Sequence, residues 1–536
     1  MSVTTLDDDD APKPLAPPAD DGVPLNKRLL TGFFAMVFGM FMSILDIQIV
    51  SASMAEIQAG LSASASEVSW VQTSYLIAEV VMIPLSGTLS RIFSTRVVFC
   101  VSCATFTLFS FLCGTATSIE EMIIWRAAQG FCGGAMIPTV FATIYLIFGR
   151  QRQIGFGALI ALTATLAPTI GPTLGGYITE AMSWHWLFFV NIIPGIVITF
   201  LVWTLMDIDA PQHGLWKHFD FGGLVLMAIF LGSMEYVLEE GARADWFDSR
   251  RIVWFSLAAV IAAFFFFRRV LTRPHPVVDL SAFRDRNFAV GSIFGFALGV
   301  GLYGITFILP LFLARVRGMN AMEIGEMLWV TGLAMMITAP ASMMIVRRFE
   351  LDPRILLAFG FSLMLAASWT FSPMTAEWGY DEMFLPQIMR GCGLMSCMMS
   401  INMISMGTLP MEQVKHASGL YTLMRNIGGA FGLAILTTLL NERTSHHWQR
   451  IGETLQAGDP RVESWLAGLS AHYEAAGTML NSTDEMALRL LSHLVQREAW
   501  VLAFSDIFTV LAGIFALALA LVPVASRPSH PVEVSE

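Results

Sequence analysis

Charge is what this sequence has least of. Only 14% of its 536 residues are Asp, Glu, Lys or Arg, against about 25% in an ordinary soluble protein. Hydrophobic residues make up 55%, and the mean hydropathy is +0.63. This excludes a soluble globular chain and points to a polytopic membrane protein in contact with a lipid bilayer. Histidine is also scarce, and none falls in the middle of an apolar run. There is no Walker loop, no G-x-S-x-G elbow and no H-E-x-x-H pair, so nucleotide hydrolysis or metalloprotease chemistry is not expected. No nucleophile–base constellation is present, and neither an enzyme nor a cofactor is expected. All six cysteines (Cys100, Cys103, Cys113, Cys132, Cys392 and Cys397) lie in apolar runs. Cys100 and Cys103 form a C-x-x-C without a nearby histidine, and packing is the expected role. The N-terminus lacks the basic and apolar regions of a signal peptide. Its aspartates Asp7 to Asp10, with Asp20, Asp21 and several prolines, read as a disordered cytoplasmic tail over 1–29. The net charge of -11 sits there and after Glu442, which gives no support to a nucleic-acid partner.

What the sequence has is apolar length. Runs of about 20 residues, enough to span a bilayer, occur fourteen times between 30 and 524. The expected fold is all-α, with two six-helix bundles over 30–206 and 289–524 and an inserted two-helix segment over 207–288. The second bundle includes an outer loop at 442–500, and 525–536 form a cytoplasmic tail. Basic residues such as Lys27, Arg28, Arg91, Arg96, Arg150, Arg268, Arg273, Arg348 and Lys415 collect on one side, which places both termini in the cytoplasm. The outer loop has amphipathic pieces near 462–474 and 484–498, suited either to an external partner or to a solvated helical hairpin.

Ionisable residues inside apolar runs are costly and therefore candidates for function. Asp46 and Arg126 each lie about seven residues from the outer end of their runs, roughly 10 Å deep, so they can pair. An arginine favours the charged carboxylate and burial disfavours it, so changing either can load or release a proton; a static latch between two helices remains the alternative. Glu79 lies near mid-run, as a second proton site, a hook for cations, or a hydrogen-bonded structural carboxyl. Gln129, Arg390, Met395, Met399, Asn402, Arg425 and Asn426 form the expected substrate-contacting set, with packing as the alternative for the arginines and methionines. A copper path through the methionines lacks any external collecting segment. Asp506, close to an outer end, reads as ordinarily solvated.

Small residues mark where helices approach. Arg126, Gly130, Gly134 and Pro138 repeat every four residues, one helical face with a charge above a groove. The stretch 167–176 sets Pro168, Gly171, Pro172, Gly175 and Gly176 inside an apolar run, which neighbouring helices or lined cavities can accommodate. The two halves repeat weakly: Arg126 and Gly130 correspond to Arg390 and Gly391, and Gly171, Gly175 and Gly176 to Gly428, Gly429 and Gly432. Such a layout suits a transporter with a site between its halves.

In this order the motifs resemble those of the major facilitator superfamily, within it the fourteen-span drug:proton antiporters. Leu45-Asp46-Ile47-Gln48-Ile49-Val50 looks like the first-helix aspartate motif and Trp125-Arg126-Ala127-Ala128-Gln129-Gly130 like the fourth-helix R-x-x-Q-G motif. Ala167 to Gly176 is similar to the fifth-helix antiporter motif, and Trp184 to Gly195 to a sixth-helix signature. The loop Gly87 to Arg96 departs from G-x-L-x-D-R-x-G-R-R, with Arg91 in the aspartate position, which puts an aspartate-based conformational lock in doubt. A basic residue there and the long last outer loop look like the Emr-type inner-membrane pumps. The resemblance implies export of small amphipathic substrates against protons by alternating access, with a periplasmic adaptor and an outer-membrane channel. Asp46 would carry the proton, Arg126 would set its affinity, Glu79 would be secondary, and Gly171, Pro172, Gly175 and Gly176 would form the close-packed pivot, with Gly130, Gly134 and Pro168 completing the conformational motif. A dedicated exporter of one metabolite, fatty acid or siderophore would share these motifs; a non-transporting scaffold would leave Asp46 and Glu79 unexplained.

Overall fold

The computed structural model describes residues 26–526 except 149, 275, 350, 456–458 and 476–479. Most of both expected tails lies outside these residues. The N-terminal tail ends earlier than expected, because Asn26 caps the first helix by accepting from Arg28 N at 3.0 Å. Every regular element among the described residues is helical.

The first set comprises α1 (Lys27–Ala52), α2 (Met54–Gly60), α3 (Ala65–Phe93), α4 (Thr95–Gly114), α5 (Ile119–Gly133), α6 (Met136–Ile147), α7 (Arg150–Ala181), α8 (Trp186–Phe189) and α9 (Ile192–Leu205). Then come α10 (Phe221–Glu240) and α11 (Arg250–Thr272), which pack on each other. The last set comprises α12 (Arg286–Arg315), α13 (Ala321–Phe349), α14 (Pro353–Phe371), α15 (Tyr380–Met406), α16 (Met411–Thr454), α17 (Pro460–Ala475) and α18 (Leu480–Leu521). Local chemistry sets several starts. Ser64 and Glu67 form a reciprocal capping box on α3, while Asp220, Asp285 and Asp352 cap α10, α12 and α14 through side-chain oxygens.

Twelve of the described helices are long and apolar enough to cross a membrane, and the α7 segment makes thirteen. The helix at the remaining expected run, α15, is not among them. It has 27 residues, and its buried positions include the small or polar Gly391, Gly393, Ser396, Ser400, Asn402 and Ser405, which suit contact with other helices better than with lipid. Large apolar side chains stay exposed on the outer helices, as at Ile193, Phe200, Trp254, Val260, Phe264 and Leu271. That is the surface a bilayer would cover.

Two expectations about continuity are corrected in part. The row from Arg126 to Pro138 lies on one apolar span over Ile119–Ile147, within which the regular helix is interrupted at Gly134 and Ala135 between α5 and α6. Within 442–500 the amphipathic piece expected near 462–474 is α17, but the one near 484–498 is not separate: it is continuous with the last span in α18, and α16 runs on to Thr454. α16 has 44 residues, about 66 Å, and α18 has 42, so both run well past a hydrocarbon core of about 30 Å. Between them α17 is a separate helix that packs on α18. Asp506 is not simply solvated: it accepts from His447 Nε2 at 2.9 Å and lies 3.7 Å from Arg443 Nε, tying α18 to α16. Lys27, Arg91 and Lys415 mark one end of the bundle, called here the basic end; these extensions lie at the far end.

Candidate functional site

Asp46 and Arg126 meet, as their depths require. Arg126 Nη1 donates to Asp46 Oδ2 at 2.6 Å, and both side chains are 0% exposed. The carboxylate is enclosed by two further donors. Gln129 Nε2 reaches Oδ1 at 3.2 Å, and Asn191 Nδ2 reaches it at 2.7 Å while also donating to Ser110 Oγ at 3.0 Å. Arg126 also donates to Gln129 Oε1 at 2.8 Å and, through Nε, to Val71 O at 3.2 Å, and its guanidinium lies 4.2 Å from the Tyr75 ring centroid. Breaking such a pair while it stays buried costs about 3–5 kcal/mol. The carboxylate can therefore exchange a proton with water only if α1, α5 and the α8–α9 junction separate.

The glycines below Arg126 bring α3 against α5 in parallel register. Arg126 meets Val71 O. A Cβ on Gly130 would lie 2.3 Å from Tyr75 O, and one on Gly134 would lie 2.7 Å from Glu79 O. The groove inferred from sequence thus holds the α3 row Val71, Tyr75 and Glu79, spaced every four residues. On α7, a Cβ at Gly171 would lie 2.3 Å from Gln48 Cβ and one at Gly175 2.6 Å from Ile49 O, so this helix packs tightly on the Asp46 helix. Pro168 lies where α7 bends by 46° between 155–168 and 170–181; Pro172 and Gly176 are half-buried on its second arm. The same helix meets α13, where a Cβ on Gly325 would lie 2.3 Å from Thr173.

The family model described as Major Facilitator Superfamily matches residues 36–433. The chain belongs to that superfamily. Among its members, the colistin resistance protein EmrB of Acinetobacter baumannii is 41% identical, over 90% of this chain and 93% of that protein. The multidrug export protein EmrB of Escherichia coli is 30% identical, over 94% and 96%. This places the chain among EmrB-like members of the superfamily. The crystal structure of the human organic anion transporter MFSD10 (TETRAN) covers 93% of this chain and all of that one, with a TM-score of 0.57 at 12% identity, a likeness of fold.

The superfamily's internal repeat is visible in the packing, with one correction. The counterpart of Arg126 and Gly130 is Gln387 and Gly391, not Arg390 and Gly391. Gln387 Nε2 donates to Met327 O at 2.9 Å, and a Cβ on Gly391 would lie 2.6 Å from Thr331 O, so α15 meets α13 as α5 meets α3. Gly428 and Gly432 abut Phe296 O and Val300 Cα on α12, repeating the α7–α1 contact.

The expected substrate-contacting set divides. Gln129 belongs to the Asp46 cluster. Met395 and Met399 are buried in the core. Arg390 donates to Thr306 Oγ1 at 2.9 Å. Asn402, Arg425 and Asn426 instead keep buried polar atoms without partners, as does Glu79 at Oε1. Arg425 lies within electrostatic reach of Glu79, which brings α16 and α3 to a shared polar centre. Asn191 escaped the residue-by-residue reading although it stands inside the Trp184–Gly195 signature; an amide in so apolar a run was the available signal.

At the basic end Arg91 does not act as the superfamily's loop aspartate would. Its Nη1 pairs with His416 Nε2 at 3.0 Å. The carboxylate comes from Asp209, which binds Lys415 and accepts from Thr95 N at 2.9 Å. Ser418 Oγ donates to Pro138 O at 3.2 Å, and Gly419 abuts Ile83 O. The start of α16 is thereby tied to α3 and α6, so that end is closed.

Proposed function

We propose that this chain is a proton-coupled multidrug efflux transporter, not an enzyme, exporting small hydrophobic and amphipathic compounds across the inner membrane by alternating access, both termini in the cytoplasm. The observation that carries this reading is the fully buried Asp46–Arg126 pair in a bundle otherwise so poor in charge. Asp46 carries the proton, Arg126 supplies the charge that holds it ionised when the cluster is closed, and Glu79 is a second protonatable group. The helices of 30–206 and 289–524 move as two bodies. α7 touches both α1 and α13, so motion at that seam reaches the helix that bears Asp46; Gly130, Gly134, Pro168, Gly171, Pro172, Gly175 and Gly176 allow the close sliding contacts. The curated relatives named for multidrug export and colistin resistance support a toxic-compound substrate class. α15 serves as the fourteenth span. The far-end extensions of α16 and α18, with α17, offer a docking surface for a periplasmic adaptor leading to an outer-membrane channel.

The test is proton movement in proteoliposomes on adding chemically unrelated amphipaths. Exchange with several compounds, absent from Asp46→Asn, is expected. Exchange with one compound only would replace the reading with a dedicated exporter.

A further inference from the structure

The linker that leaves the inserted pair is basic. Between α11 and α12 it carries Arg273 and Arg284. It is also anchored: Val277 and Val278 are buried, and Val277 O accepts from Thr88 Oγ1 of α3 at 2.7 Å. Around that anchor the linker, the end of α3 and the start of α16 line a cavity of about 340 Å³. This falls within the size range of small-molecule sites, roughly 300–1,000 Å³. No residue of the Asp46 cluster lines it.

The charge of the lining is mostly of one sign. Arg91, Arg273 and Arg284 all line the cavity. Arg91 Nη1 pairs with His416 Nε2 at 3.0 Å; among the described residues its other side-chain donors, and all those of Arg273 and Arg284, make no hydrogen bond. Two carboxylates share the lining. Asp220 is already held by Arg269, whose Nε donates to Oδ1 at 2.8 Å and whose Nη2 lies 2.7 Å from the same oxygen. Asp279, which accepts from Ser281 N at 2.8 Å, is left against three guanidiniums, so two positive charges stand in excess. Guanidinium forks match the oxygens of a phosphate group.

An apolar strip leads to the same place. Leu271 lines the cavity and is 78% exposed, and Phe267, Phe264 and Val260 precede it on α11 at helical spacing, each at least 44% exposed. Residues so spaced share one face, which runs about 16 Å along the helix to the cavity. A free phosphate gains nothing from such a strip, whereas a phospholipid fits both parts.

We propose that this cavity holds the phosphate of an anionic phospholipid, with Arg91, Arg273 and Arg284 as its donors and the exposed face of α11 as the bed of its acyl chains. Basic pockets between membrane helices suit anionic headgroups. A zwitterionic lipid brings its own cation toward the excess positive charge and binds less well. The bound headgroup bridges the inserted pair to α3 and α16 at the basic end, whatever compound the chain moves.

The full chain in neutral detergent is titrated with phosphatidylglycerol and with phosphatidylcholine of the same chains, and the first bound lipid is counted by native mass spectrometry. Wild type should prefer phosphatidylglycerol. The ratio of the two affinities should fall about fivefold in Arg273→Gln and in Arg284→Gln, as expected for one basic residue near a headgroup, and should hold in Arg284→Lys. Arg268→Gln removes an exposed charge of α11 that does not line the cavity and should leave the ratio unchanged. No preference in wild type, an unchanged ratio in both glutamine variants of the lining, or an equal fall in Arg268→Gln overturns the proposal. Inorganic phosphate that displaces the lipid at equal concentration would assign the cavity to a free anion and overturn the lipid reading.

Discussion

Gly130→Ala asks whether the Arg126 cluster depends on the fit of α3 into α5. The new Cβ would stand 2.3 Å from Tyr75 O, 2.8 Å from Tyr75 Cα and 2.9 Å from Tyr75 C. All three atoms are backbone, so no rotamer change relieves them, and α3 must retreat by about 1 Å to reach ordinary contact. One turn away, the Arg126 Nε to Val71 O bond of 3.2 Å would be carried past hydrogen-bonding range. Overpacking costs about 1–3 kcal/mol, and an unpaired buried donor costs about 1–3 kcal/mol more. The variant should lower the thermal midpoint in detergent and slow proton-coupled transport. Gly157→Ala is the control: nothing lies within 4 Å of its Cβ position, so relief of helix-interior glycine should stabilise by about 0.5–1 kcal/mol. Wild-type stability and turnover in Gly130→Ala would refute the reasoning.

Three further outcomes follow from other contacts. Gly175→Leu, whose first side-chain atom would already lie 2.6 Å from Ile49 O, should leave protein in the membrane but stop cycling; normal turnover would refute the pivot. Lys415→Met strips Asp209 of its ammonium partner and should loosen the basic end, raising thiol labelling of a Ser90→Cys reporter several-fold, whereas unchanged labelling would mean the latch is idle. Burial raises the Asp220 carboxyl, but hydrogen bonds from Arg269 and from Gly223 N outweigh it and hold it below the ordinary range. Its contribution is therefore complete above about pH 4 and lost only as pH falls through the lowered value. Hydrogen-exchange protection factors at the start of α10, corrected for the intrinsic pH dependence, should not change between pH 7 and 5, and loss of protection within that window would contradict the clamp.

The pairing of Asp46 with Arg126 was legible because both sit in countable apolar runs of bilayer length, where depth follows from position. Tight contacts at Gly130, Gly171 and Gly175 were legible because close helix approach demands small residues. Their partners were not, since nothing in a single sequence says that Gly130 faces Tyr75. Asn191 joins Asp46 across 145 positions, and a neutral amide does not stand out as a charge does. Searching for charge also misassigned the repeat: the residue one turn before Gly391 is Gln387, but Arg390 drew the eye. The lock at the basic end was read as doubtful from Arg91; Asp209, more than a hundred residues away in a linker, supplies the carboxylate.

The central claim is that Asp46 carries the coupled proton. It is tested most directly by the protons released into weakly buffered detergent solution when substrate binds, read with a pH indicator at fixed occupancy. Wild type should release protons on binding, and Asp46→Asn should bind the same substrate with that release abolished. Release of equal size from wild type and Asp46→Asn would contradict the account.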